Sequence, residues 1–306
     1  MSLIWGIPYL MIKVAVEGVS VPVLVFARTA LGAAVLLPFA CSPHTLTLVR
    51  NHWPALLGFA SVEIAIPWWL LSDAERHLTS SMAGLLIATT PIIAATLNRC
   101  TGGERLGCLR VIGLALGICG MAVLAGPSLA GQAWPISETL AVAVCYAVGP
   151  LIAARYLADV PPLPMTAICL MLAALMYAAP AAASWPAQIP SKQVLLALAV
   201  LALVCTALAF VVFFALIREV GAARATVITY LNPVVALAAG VLVLQEPLTL
   251  STGAALALIL TGSLLAIRHP QPASAECGTA PTSLAPSQSA TTLQRPSEAL
   301  LAQPTG

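Results

Sequence analysis

Charge is what this chain has least of. Of its 306 residues only 8% are Asp, Glu, Lys or Arg, while 60% are hydrophobic. Soluble domains carry roughly a quarter charged residues, so a water-soluble fold is excluded and the chain belongs in a membrane. Lysine is nearly missing: Lys13 and Lys192 are followed by Val and Gln. No Gly-x-x-x-x-Gly-Lys-Ser/Thr loop exists, and ATP is not the energy source. Histidine occurs four times, at 44, 52, 77 and 269, in stretches that read as loops or tail. With neither a His-Glu-x-x-His pair nor a Gly-x-Ser-x-Gly elbow, hydrolysis within the membrane lacks its parts, and an enzyme is not expected. The eight cysteines form no Cys-x-x-Cys pair and lie mostly in apolar runs. They read as small core residues, and neither a metal nor another cofactor is implied. A net charge of +2 from scattered basic residues leaves no footprint for nucleic acid.

What the chain has is apolar length. A hydrocarbon core of about 30 Å takes about 20 helical residues. Ten windows of that kind follow one another, near 2–17, 21–41, 53–72, 80–98, 107–126, 137–156, 163–183, 193–216, 222–244 and 250–267. The predicted fold class is an all-α polytopic membrane protein with ten transmembrane helices. The first window is short and lacks a basic segment before it, which suggests a true start upstream and a truncated first helix. From His269 onward Pro, Ser, Thr, Ala and Gln dominate, and 268–306 is expected to be a disordered tail.

The windows repeat. A shift of 142 residues places Pro233 on Pro91, Glu246 on Glu104, Arg218 on Arg76 and Gly262 on Gly120 without a gap. The first repeat is set at 1–126, a linker at 127–136 and the second repeat at 137–267. With the amino terminus inside, nine arginines fall in cytoplasmic loops or the tail, against Arg76 and Lys192 outside, so both termini are expected in the cytoplasm. Five helices per half make the second copy enter from the opposite side. An inverted repeat with a site near the midplane is a plan of secondary transporters.

Several residues stand out against this apolar background. Arg28 and Glu63 lie inside windows, where charge is expensive. Glu63 could be neutral, or could pair with Arg28 or Lys13. Lys13 could equally snorkel to the interface, Arg28 meet a carbonyl, and Trp68 and Trp69 belong to an interfacial belt. Pro91 removes an amide donor and frees the carbonyl of Ile87 for another partner. Gly113, Gly117 and Gly120 are spaced for close helix packing. Glu104 and Glu246 stand just ahead of helices whose amides they could cap. The segment Ala125 to Pro135 joins the halves, and Pro150 is placed to kink the sixth window.

At 206–248 the pattern becomes specific. The run from Thr206 to Ala225, then Thr229-Tyr230-Leu231-Asn232-Pro233, Gly240 and Glu246-Pro247-Leu248-Thr249, resembles the second EamA repeat of the drug/metabolite transporter superfamily. Trp5-Gly6, Lys13, Arg28, Ser80-Ser81 to Pro91 and Glu104-Arg105-Leu106 resemble the first. This resemblance implies ten helices in two inverted five-helix repeats and export of small metabolites or drugs across the inner membrane. Ala255 stands where such repeats usually have a glycine, and Gln245 where Gly103 stands in the first copy, which puts tight packing of the last helix in doubt. The candidate substrate-binding or coupling residues are Trp5, Tyr9, Lys13, Arg28, Glu63, Trp68, Tyr146, Tyr230 and Asn232. Pro91, Pro233, Glu104, Glu246, Gly113, Gly117, Gly120 and Gly262 form a structural set. The partners expected are a small-molecule solute and the lipid bilayer, with the protein a monomer or homodimer. Exchange of a phosphorylated or nucleotide-linked solute, and a non-transporting membrane scaffold, are the alternatives.

Overall fold

The structure, a computed structural model, describes residues 1–40, 43–100, 108–125, 129–220 and 231–267. Among them every regular element is helical. In chain order these are α1 (Ser2–Gly6), α2 (Pro8–Ala15), α3 (Val21–Ala40), α4 (Pro43–Phe59), the π-helix π1 (Ala60–Ala65), α5 (Ile66–Ala74), α6 (Ser80–Ile87), α7 (Thr90–Cys100) and α8 (Cys108–Ala125). Then come α9 (Leu129–Tyr156), α10 (Pro162–Ala183), α11 (Lys192–Ala199), the π-helix π2 (Val200–Leu208), α12 (Ala209–Val220), α13 (Asn232–Val243) and α14 (Leu250–Ile267).

Six helical runs are long and apolar enough to cross a membrane: Val21–Ala40, Thr47–Ala74, Ser80–Leu97, Gly131–Tyr156, Pro162–Ala183 and Lys192–Val220. Ser2–Ala15, Val111–Leu124, Asn232–Val243 and Leu250–Leu265 are shorter apolar helices. The outer surface carries large apolar side chains, such as Phe39 (78% exposed), Leu196 (65%) and Leu242 (73%). Water would penalise such a surface, whereas lipid is its natural solvent.

Packing follows the 142-residue shift. α8 lies along α14 and α3 along α10, each pair joining equivalent positions of the two halves, while α6 packs against α13, whose own counterpart is α7. Other cross-contacts come as exchanged counterparts: α4 meets α9 as α2 meets α11, and π1 meets α10 as α3 meets π2. The π turns also coincide, since Ala60–Ala65 shifted by 142 falls within Val200–Leu208. Pro8 and Pro150 are related by the same shift.

The α8–α14 contact depends on small residues. A Cβ on Gly262 would stand 2.6 Å from both the Gly113 oxygen and the Gly117 nitrogen, and one on Gly120 would stand 3.0 Å from the Ile259 nitrogen. Ala255 is fully buried, so a methyl group in place of a hydrogen does not loosen the last helix.

Local differences from the sequence reading have identifiable causes. The third window begins earlier, because α4 starts at Pro43 and bends at His52, which leaves helical geometry with φ −113° and ψ 16°. His44 and His52 are therefore helical and not in a loop. Helical conformation starts inside the expected linker: α9 begins at Leu129, and Gln132, at φ −128° and ψ 20°, marks its break. That break precedes Pro135 and lies well away from Pro150. The fourth window is interrupted between Ile87 and Thr90, just ahead of Pro91. Pro233 occupies the first turn of α13 and not the middle of a helix.

Candidate functional site

Arg28 organises the interior. It projects from α3, is 6% exposed, and holds its guanidinium carbon 3.6 Å above the centre of the Trp68 ring. Its Nε donates to Thr206 Oγ1 at 3.0 Å, and that hydroxyl donates in turn to the Leu201 carbonyl at 2.8 Å. The second bond, from a side-chain hydroxyl, spans five residues within the wide turn of π2. The wide turn of π2 therefore aims Thr206 at Arg28. Trp68 is buried and neighbours Tyr146 on α9. Tyr9 of α2 is buried within electrostatic reach of Arg28, Tyr146 and Glu75. Trp69 faces elsewhere and stacks on Tyr177, with ring centres 5.6 Å apart. The tyrosine hydroxyl meets the Ala65 carbonyl at 3.0 Å, where π1 ends.

Glu63 lies in π1, but neither Arg28 nor Lys13 pairs with it. Its Oε2 is buried without a hydrogen-bond partner among the described residues and presses on the Cα of Gly149, where any Cβ would collide with it. Tyr146, Cys145 and Cys169 are its electrostatic neighbours.

Lys13 neither snorkels nor pairs with a carboxylate. Its Nζ donates to the Glu75 carbonyl at 2.6 Å and the Leu78 carbonyl at 2.7 Å. The Glu75 oxygen lies at the carboxyl end of α5, where helix carbonyls lack internal partners and attract a cation, and the Leu78 oxygen lies in the turn that follows. Glu246 does the complementary work at the next helix start. Its Oε1 accepts from the Ser80 amide at 2.7 Å and the Ser80 hydroxyl at 3.0 Å, and its Oε2 accepts from the Ser81 amide at 3.1 Å and from the Ser81 hydroxyl. A capping role was expected on the helix that follows Glu246 in sequence, but the helix capped is α6 in the other half. Thr249 meets the Thr252 amide at the start of α14 instead. Gln245 turns the chain at φ 54°, a conformation that a glycine adopts at no steric cost.

Trp5 packs away from Arg28, against Phe213 at 4.6 Å and Phe210 at 6.3 Å between ring centres. Asn232 begins α13 with its Oδ1 buried and without a partner among the described residues, and its backbone lies close to Gly6. The carbonyl of Ile87 freed by Pro91 is met by the Thr90 hydroxyl at 2.6 Å, while Ser263 of α14 reaches the Ala88 carbonyl at 3.0 Å. Tyr230 and Glu104 lie outside the described residues.

Glu75 is the residue that sequence reasoning missed. It is fully buried, and both of its carboxylate oxygens lack a hydrogen-bond partner among the described residues. In sequence it sits among Asp73, Arg76 and His77 and resembles one more loop charge. The available signal was its position between the Trp68-Trp69 pair and the Ser80-Ser81 pair.

Arg28 is thus a buried guanidinium held between the halves, with no carboxylate paired to it among the described residues. Residues 1–126 and 134–268 match the EamA-like transporter family. The chain belongs to that family. It is a membrane transporter of the EamA type, and relatives agree: it is 26% identical to YvbV of Bacillus subtilis (strain 168), described as an uncharacterized transporter, over 86% of this chain and 88% of that one. It is 31% identical to YedA of Escherichia coli (strain K12), an uncharacterized inner membrane transporter, over 78% of each. A solved crystal structure shares the fold, with a TM-score of 0.65 at 23% identity, over 87% of this EamA-like chain and 94% of the other.

Proposed function

We propose that this EamA-like protein is a secondary transporter of the inner membrane that exports small amphipathic metabolites, such as amino acids, or drugs by alternating access, with protons as the candidate driving ion. In this reading the four shorter apolar helices cross the bilayer with the six long ones, giving ten crossings in two inverted five-helix repeats with both termini cytoplasmic. The exchanged contacts and the coincident π turns support that arrangement. The inner membrane placement draws on the likeness to YedA.

The observation that carries the proposal is Arg28. A cation stays inside an apolar bundle only when something compensates its lost hydration. Here one ring face and one hydroxyl do so, leaving the rest of the donor fork for an anionic group of a solute. Tyr9, Trp68, Tyr146 and Thr206 form the walls of this site. Lys13 is engaged by backbone carbonyls, so Arg28 is the cation left for the solute among the central residues described, which disfavours a phosphorylated solute.

The test compares extracellular metabolites of cells carrying the intact gene, no gene, or Arg28→Gln. Export predicts a solute that accumulates outside only with the intact gene. If no solute differs among the three, the reading fails.

A further inference from the structure

We propose that Glu75 is a proton-binding site that locks the Glu75-to-Ser81 hairpin, so that gain and loss of one proton close and release one side of the transport path. This deepens the transport reading and rests on it for its consequence, though the proton site itself does not.

Three observations lead there. The carboxyl group is fully buried, and neither oxygen has a hydrogen-bond partner among the described residues. An anion so placed would cost several kcal/mol, whereas the acid form is tolerated. Glu75 follows the Thr47–Ala74 span, and burial first of all pushes its carboxyl well above the ordinary carboxylate range; Lys13 and Arg28 act against this and Glu246 adds to it. Finally, the hairpin that starts at Glu75 is held at both ends from other parts of the chain. Lys13 holds the carbonyls of Glu75 and Leu78, and Glu246 holds the amides of Ser80 and Ser81.

The groups facing Glu75 decide what happens when its proton leaves. From α2 come Lys13 and Tyr9, from α3 Arg28, and from the turn after α13 Glu246. On α9, Tyr146 neighbours Tyr9 and Arg28, and Glu138 neighbours Asp73. Asp73, Arg76 and His77 share the segment of Glu75, with Arg76 held by Asp73 at 3.4 Å. A carboxylate at Glu75 repels Glu246 and draws Lys13 off the carbonyls. Either shift undoes one end of the hairpin. The balance is simple: Glu75–COOH gives Glu75–COO⁻ and one proton, released to the side on which the hairpin parts. Because the site is sealed, a proton can enter or leave only when the hairpin opens, which ties titration to movement.

Infrared difference spectra of the full chain in lipid, recorded against pH without substrate, test this. The wild type should lose a protonated-carboxyl stretch as pH rises. Glu75→Gln should lack that component, Glu75→Asp should keep a shifted one, and Glu63→Gln should leave it in place. Hydrogen exchange of 75–81, corrected for intrinsic pH dependence, should rise with pH in the wild type and stay at its low-pH level in Glu75→Gln. A titrating band of unchanged size in Glu75→Gln, or hairpin exchange that rises with pH in that variant as in the wild type, overturns the proposal. These readouts need no solute. A missing export phenotype with the expected spectra would sink the transport reading and leave the proton site standing.

Discussion

The Arg28 guanidinium lies 3.6 Å over the ring of Trp68, joining α3 to α5 without a carboxylate. A desolvated cation–π contact contributes about 2 kcal/mol. Trp68→Leu should therefore lower stability in detergent by about that amount and weaken solute binding at least tenfold, and Trp68→Phe should recover part of both. Thermal unfolding and equilibrium binding read the two effects. Unchanged binding in Trp68→Leu would place the solute elsewhere.

Glu246 and Gly240 act together on the start of α6. Glu246→Gln weakens a charge-assisted cap, at a cost of about 1 to 2 kcal/mol. Gly240→Ala places a methyl group where the Glu246 carboxylate and the Ser81 hydroxyl now sit. In a double-mutant cycle the two losses should be strongly non-additive, since both break one arrangement. Additive losses would show that Gly240 matters for another reason.

Gly149→Ala should displace the Glu63 carboxylate and reduce transport more than it reduces unfolding temperature. Glu63→Gln should insert normally and change the pH dependence of transport, because glutamine keeps the shape and cannot ionise. A pH profile superimposable on wild type would remove Glu63 from coupling.

Topology is checked independently. A reporter active only in the periplasm, fused after Ile267, should give no signal if both termini are cytoplasmic. A strong signal there would reverse the orientation or change the number of crossings.

Much of this was legible in the sequence, and the remainder was hidden for definable reasons. Arg28 and Glu63 were visible because a charge among apolar letters is rare. Pro91 announced a freed carbonyl at Ile87, and Thr90 takes it. The roles of Lys13 and Glu246 were not visible, because their partners are backbone groups at helix ends far away in sequence. Glu75 was masked by charged neighbours that are less buried. The π turns left no mark because an i to i+5 bond has no residue signature comparable to a cap or a proline. Tyr230, a candidate coupling residue, and Glu104, a candidate helix cap, lie outside the described residues.

The two π turns also set how this chain can tolerate change in length. A π turn closes one residue later than an α turn, so deleting a residue from Ala60–Ala65 would let the helix close regularly with its backbone bonds intact. The extra residue of a π turn is absorbed within that turn, so the helices on either side would keep their facing and Trp68 would stay over Arg28. What would change is the turn itself: Glu63 would be re-aimed in one case, and in Val200–Leu208 Thr206, which reaches Leu201 across five residues, in the other. Such variants should be well folded and abundant in the membrane yet impaired in transport.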